Sequence, residues 1–268
     1  MLSLIGPLPV FNPVPPQTSV QGSTWSLTAS FTYDTNTGTY TGLVTYAPAA
    51  AVPLVVTESG GTGSVALSNY YPDVGSFAVD VTITSSRDVV GDLSFVVSVA
   101  NALPVVAPVS TMSSVEGSSL TLPDMPFTDA GVLDTHTASI SWGDGSPDSS
   151  PTVNAATRVV VGSSTPHDFV EVGSYTVTVT VTDNHGGSGS RSFVVSVADA
   201  APVVSMIADI ALEVDTSFTL SDIPFTDAGV LDTHTASISW GDGSPDSSPT
   251  INAATRVVVG SSAPHTYA

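Results

Sequence analysis

The eighteen residues Asp134–Pro151, DTHTASISWGDGSPDSSP, return without change at Asp232–Pro249. Within the stretch, Ala138, Ile140 and Trp142 alternate with Ser139 and Ser141, the period-two pattern of a strand with one apolar face. Gly143-Asp144-Gly145 and Pro147 then supply turn chemistry, since glycine accepts positive φ and a short acidic side chain bonds nearby amides. The segment is therefore a loop, a core strand ending in tryptophan, and a tight turn, used twice.

The likeness extends outward. Residues 127–167 match 225–265 at an offset of 98, differing only at Val153/Ile251 and Thr165/Ala263. The same offset aligns VGSYTVTVTVT (172–182) with VGSFAVDVTIT (74–84), SFVVSVA (192–198) with SFVVSVA (94–100), and Pro202-Val203-Val204 with Pro104-Val105-Val106. Three units of just under 100 residues follow. Residues 1–13 are an orphan strand and linker resembling the end of a preceding unit, 14–103 a first divergent sandwich, 104–201 a second, and 202–268 a third, shortened one. The joints NALPVVAPV (101–109) and DAAPVVSMI (199–207) are short and Pro/Val-rich, which predicts stiff, extended connections.

Both ends carry information. The third unit closes at His265-Thr266-Tyr267-Ala268, without the counterpart of residues 171–201 and their two long strands. SLIGPLPVFNPV (3–14) aligns with SVANALPVVAPV (98–109), so residues 1–8 resemble a final strand. Either the sequence is a window on a longer array, the preferred expectation, or strands come from a neighbouring subunit by β-strand addition. Leu2, Leu4, Ile5, Leu8, Val10 and Phe11 are the candidate donor, although one strand does not replace two. In both cases units join head to tail, a heterologous contact that generates a filament when it does not close.

Composition excludes several classes of function. There are 24 acidic residues against four arginines and no lysine, a formal charge of −20. Nucleic acid and anionic membranes need basic patches, so neither is an expected partner. Divalent cations or basic partners remain compatible. Absence of cysteine removes disulfides, thiolate metal sites and thiol catalysis. No apolar run is long enough to span a bilayer, and the N-terminal stretch, broken by Gly6, Pro7 and Pro9, lacks the basic start of a signal peptide. An export signal is expected outside this sequence. Alternating apolar runs supply core enough for folding, and no stretch has helical periodicity, so the fold class is all-β, antiparallel sandwiches in tandem.

Here the residues resemble a family. Ile140-Ser141-Trp142-Gly143-Asp144-Gly145-Ser146, then His167-Asp168-Phe169, then Gly173-Ser174-Tyr175 with Val177, Val179, Val181 and Asp183 are similar to the PKD domain, an immunoglobulin-like sandwich occurring in tandem in microbial surface proteins and secreted enzymes. Trp240-Gly241-Asp242-Gly243 and His265-Thr266-Tyr267 repeat the pattern. The first unit departs, with Val44-Thr45-Tyr46-Ala47 at the turn and Asn69 in place of the histidine. The resemblance implies an extracellular or cell-surface location and structural roles for Trp142, Gly143, Gly145, His167, Trp240, Gly241, Gly243 and His265.

Two site readings compete at the repeated segment. Asp144 and Asp242, with Asp129, Asp134, Asp227 and Asp232 from the loop FTDAGVLDTH, are candidate Ca2+ ligands, because calcium takes six to eight hard oxygens. Against this, the tight Asp-x-Asp-x-Asp spacing of a calcium loop is absent, and turn formation alone accounts for the acid. A hydrolytic triad built on His136, His167, His185, His234 or His265 is not supported, because four of these occupy copied positions and no Gly-x-Ser-x-Gly elbow before a helix exists. His167 and His265 are expected to bond backbone at the sandwich edge. The chain is read as a non-enzymatic, extracellular repeat array, a stalk, fibre or filament subunit that self-associates and is potentially adhesive. The alternative is an accessory module of a large secreted enzyme or adhesin, binding surface glycans or protein.

Overall fold

The computed structural model describes residues 8–267, so Leu2, Leu4 and Ile5 lie outside the described residues. The fold is all-β, and the helical turns among the described residues are three 3-10 segments of three residues each. In the first repeat one sheet runs in the order Val10–Phe11, Ser23–Thr32, Thr62–Tyr71, Val56–Ser59. The facing sheet runs Gln17–Val20, Val90–Ala100, Gly75–Ser85, Tyr40–Tyr46, Val52–Leu54. The N-terminal segment is divided between them, with Val10–Phe11 antiparallel to Phe31 and Thr32 and Gln17–Val20 parallel to Val97–Ala100. Pro13, Pro15 and Pro16 fall at the crossover, where a missing N–H costs no ladder bond.

The second repeat has the same plan. Val105–Val106, Met125–Thr128, Val159–Val160 and Val153–Asn154 form one sheet; Met112–Val115, Ser188–Ala198, Gly173–Asp183 and His136–Ser141 form the other. Along Gly173–Asp183, Val177, Val179 and Val181 are fully buried while the threonines between them face outward. They close on Ile140, Trp142, Phe127, Phe169, Phe193 and Val195. Each such buried side chain stabilises the sandwich by about 1.5–3 kcal/mol.

Within the described residues the third repeat holds only part of this plan. Val203–Val204, Ile223–Thr226, Val257–Val259 and Thr250–Asn252 form one sheet, and Ser217–Phe218 pairs with His265–Thr266. The sequence HTASIS forms strand His136–Ser141 in the second repeat by pairing with Val177–Asp183, residue against residue. At 234–239 the same six residues form no strand, because the 268 residues contain no counterpart of that partner. The local hairpin contact survives, with Ile238 and Ser247 exchanging backbone hydrogen bonds of 2.9 and 3.0 Å as Ile140 and Ser149 do. What is lost is burial: Ile140 is wholly buried and Ile238 half-buried, lining an apolar trough with Ile207, Leu220, Phe225 and Val258.

Two expectations are corrected. Val10 and Phe11 are not a donor strand, for both pair with their own repeat, and the Phe11 ring packs 5.4 Å from Phe31. For the same reason the first sandwich begins at Val10, ahead of residue 14. Leu8 is exposed and outside any strand.

Truncating one isoleucine in two identical contexts isolates the effect of the partner strand. Ile140→Ala should cost the second repeat about 2–5 kcal/mol, the usual range for a filled core position. Ile238→Ala should cost the third repeat less than half as much. Native-state hydrogen exchange read repeat by repeat checks both values.

Candidate functional sites at the WGDG turn and the repeat junctions

The WGDG turn is closed by a residue distant in sequence. Gly143 and Gly145 hold φ of 78° and 85°, which turns the chain and aims the Asp144 carboxylate back across it. Asp144 Oδ1 accepts from the backbone N–H of Ser146 (3.0 Å) and from its hydroxyl (2.6 Å). Asp144 Oδ2 meets His167 Nε2 at 2.8 Å, and the His167 ring stacks on Trp142 at 4.2 Å between centroids, nearly parallel. Trp142 Nε1 in turn donates to Ser149 Oγ (2.9 Å), which leaves the buried indole with no unmet donor. The third repeat rebuilds every contact: Asp242 with Ser244 and His265, Trp240 with Ser247, and His265 stacked on Trp240 at 4.3 Å. His167 and His265 thus bond a carboxylate and cover an indole, where a backbone partner was expected.

Both carboxyls are held below the usual range. For Asp144, burial pushes the pKa up but is outweighed by the Ser146 hydroxyl and amide and by His167. For Asp242, the Ser244 hydroxyl and amide lead, and the carboxyl is lowered to about 2. This is a structural clamp, with no free oxygen pair turned toward a ligand.

The candidate calcium residues fall into separate places. Strand His136–Ser141 lies between Asp129 and Asp134 at one end and Asp144 at the other; six residues at about 3.3 Å each put them roughly 20 Å apart. Asp144 is therefore apart from the loop carboxylates, and among the described residues no cluster of potential metal ligands contains Asp144 or Asp242. Asp129 is held by His136 Nε2 (2.8 Å) and the Gly131 amide (2.9 Å). Arg158, itself at φ 52°, donates to the carbonyls of Asp129 and Gly131, which pins the loop. Arg256 does the same for Asp227 and Gly229.

Asp134 belongs to the junction between the first and second repeats. Gln21 follows strand Gln17–Val20 and is almost completely buried. Its backbone N–H donates to Ala100, its Oε1 accepts from the Ala102 amide (3.0 Å), and its Nε2 reaches Asp134 Oδ1 and Oδ2 at 3.2 and 3.0 Å. Next to it, Gly22 has φ 71°, and a Cβ there would come within 2.2 Å of the Ala130 carbonyl oxygen in the next repeat. On the other side of the joint, Asn101 Nδ2 donates to Asp183 Oδ2 (2.8 Å), while Asp183 Oδ1 accepts from the amides of His185 and Gly187. Burial pushes the Asp183 carboxyl up, but these donors outweigh it and the pKa is lowered. His185 sits between Asp134 (3.2 Å) and Asp73 (3.6 Å), one from each repeat.

The second junction reuses these positions with different chemistry. Glu116 stands where Gln21 does: its N–H donates to Ala198 and its Oε1 accepts from Ala200 (2.9 Å). Gly117 has φ 67°, and a Cβ there would lie 2.7 Å from Ala228 Cβ in the third repeat. Glu171 and Asp199 occupy the positions of Asp73 and Asn101, and Asp232 that of Asp134. One carboxylate oxygen from each of Glu116, Glu171 and Asp232 lies within 4.8 Å of the others.

One signal in the sequence marks the residues that build these joints. SVQGS (19–23) and SVEGS (114–118) are the same pentapeptide with one acid–amide exchange.

Comparison with known proteins adds a family and little else. The PKD domain family model matches residues 101–197. No curated protein matches the chain. Among solved structures it is similar to titin domains A168–A170 (TM-score 0.41, 13% identity, covering 96% of this chain and 89% of that chain). It is also similar to mouse cadherin-23 EC22–24 (TM-score 0.33, 17% identity, 96% and 89% covered) and to fibronectin(III)-like modules of Clostridium thermocellum CbhA (TM-score 0.27, 13% identity, 71% and 94% covered). Likeness this low carries no statement about what the chain binds or does.

Two outcomes test the clamp. Asp144→Ala should destabilise the second repeat by about 1–3 kcal/mol, the cost of leaving the Ser146 amide and His167 without an acceptor. The pH dependence follows from the lowered carboxyls. The stabilisation from Asp242 is present above the ordinary carboxylate pKa and is lost as pH falls toward about 2. An acid titration of the third repeat's stability should therefore be shallower in that window in the Asp242→Asn variant, with the part contributed by the other lowered carboxyls retained.

Proposed function

Residues 101–197 are a PKD domain, and on that premise we propose that the chain is an extracellular structural protein, a run of β-sandwich repeats joined end to end as a stalk, fibre or filament subunit. One observation carries this reading: the joint between repeats is built twice from equivalent positions. Gln21 and Glu116 each cap the last strand of their own repeat through Ala102 and Ala200. Gly22 and Gly117 each admit the next repeat's alanine, Ala130 or Ala228, at a distance no side chain would tolerate. A joint specified by buried polar bonds and by glycine contacts, and then copied, repeats one relative placement along the array. That is what a spacer or filament needs and what a flexible tether does not.

The remaining features accord with it. The histidine–aspartate pairs recur with the scaffold and hold turns and loops together. A charge of −20 keeps neighbouring arrays apart and soluble. Self-association is head to tail, each repeat presenting the glycine edge to its neighbour's loop.

Electron microscopy of the native material should show filaments or stalks with a spacing of whole repeats; discrete particles that bind glycans would overturn the reading. In solution scattering the chain should have the maximum dimension of a stiff rod. Gly117→Val should shorten it, because the added side chain strikes Ala228, and should lower the melting of the second repeat, where Gly117 sits at a left-handed φ, while leaving the first repeat unchanged.

A further inference from the structure

We infer that the junction between the second and third repeats is a calcium site formed by Glu116, Glu171 and Asp232 with Asp199 beside them, a site the junction between the first two repeats does not have. Equivalent positions at the two junctions carry different chemistry. At the first junction Gln21 offers Nε2 to the Asp134 carboxylate, donor to acceptor. At the second, the equivalent side chain is Glu116, and both of its oxygens are acceptors. Oε1 takes the Ala200 amide. Oε2 is buried in a fully buried side chain and has no hydrogen-bond partner. The carboxylate it would face, Asp232, is the counterpart of Asp134. Where the first joint places an amide against an acid, the second places acid against acid.

The neighbours deepen the deficit. Asn101, which donates to Asp183 at the first junction, is replaced by Asp199. Asp73, bridged to Asp134 by His185, is replaced by Glu171. Among the described residues no histidine or arginine is paired with Glu116 or Glu171, and His234 is engaged by Asp227 at 2.5 Å. An isolated buried carboxylate without a compensating charge is costly enough that it recruits a proton or a cation.

Geometry favours a cation of calcium's kind. At Ca–O distances of about 2.3–2.6 Å, two ligands of one ion lie at most about 5 Å apart. The three oxygens of Glu116, Glu171 and Asp232, within 4.8 Å of one another, meet that limit. All are hard oxygens, no soft or nitrogen ligand is among them, and the ligands come from both repeats. By contrast, the acidic group Asp129, Asp134 and Asp183 at the first junction is already supplied with donors from His136, Gln21, His185 and Asn101. The site stands whether or not the chain polymerises.

The test is calorimetric titration of the 268-residue chain with CaCl2 at physiological salt. One saturable ion per chain is expected, with Kd below about 1 mM, inside the range of extracellular calcium modules. Glu116→Gln restores the amide found at Gln21, so the fold is kept; this variant should lose the bound ion and melt higher than the parent in EGTA. The rise in melting temperature that calcium gives the parent chain should be absent in Glu116→Gln. Saturable binding that persists in Glu116→Gln, or no saturable binding by the parent chain, overturns the site. Melting of the parent chain that calcium does not alter would overturn it as well.

Discussion

The side chain that follows the parallel N-terminal strand, Gln21 in the first repeat and Glu116 in the second, is the point on which the assembly of repeats depends. It is buried, it caps the exit of its own sandwich through Ala102 or Ala200, and it faces the next sandwich at Asp134 or Asp232. A buried polar group must find its partners or destabilise the fold by about 1–3 kcal/mol. That demand fixes the exit strand, the linker and the neighbouring loop relative to one another. The glycine beside it removes the one atom that would hold the repeats apart.

The same reasoning separates what the sequence discloses from what it does not. Alternation in Gly173–Asp183 and His136–Ser141, turn glycines and the 98-residue repeat reveal sandwich strands, their order and their phase, because these signals are local or self-referential. Asp144 is legible as a turn acid for that reason. Its partner His167 is 23 residues away, and Gln21 and Asp134 are 113 apart, so no spacing rule connects them. HTASIS shows the limit most clearly. Six identical residues are a buried strand at 136–141 and not at 234–239, since a strand is defined by its neighbour and not by its own composition. Asp129, Asp134 and Asp144 are near one another along the chain. They divide between the two ends of strand His136–Ser141, whereas Asp232 lies beside Glu116, a buried acid outside the repeated segment.

Charge economy runs through the whole chain. With four arginines for 24 acids, the fold cannot pair its carboxylates with basic side chains. Arg158 and Arg256 serve loop carbonyls instead. The outer strand faces are neutral, with hydroxyl pairs such as Thr178–Ser192 and Thr180–Ser190 at 2.9 Å taking the place of cross-strand ion pairs. Carboxylates are satisfied by amides, hydroxyls and histidines wherever these exist. The second junction, where two amides have become acids, is where that supply fails.

The central claim is that equivalent buried contacts hold successive repeats in a fixed relation. Because the chain has no cysteine, spin labels can be placed by substitution at chosen pairs of exposed positions, Val55 with Asp148 across the first junction and Asp148 with Asp246 across the second. Pulsed electron–electron distance measurement should give one narrow distribution for each pair, that across the second junction in the presence of CaCl2. Broad distributions across both would mean that the repeats move freely and that the buried contacts do not set their arrangement.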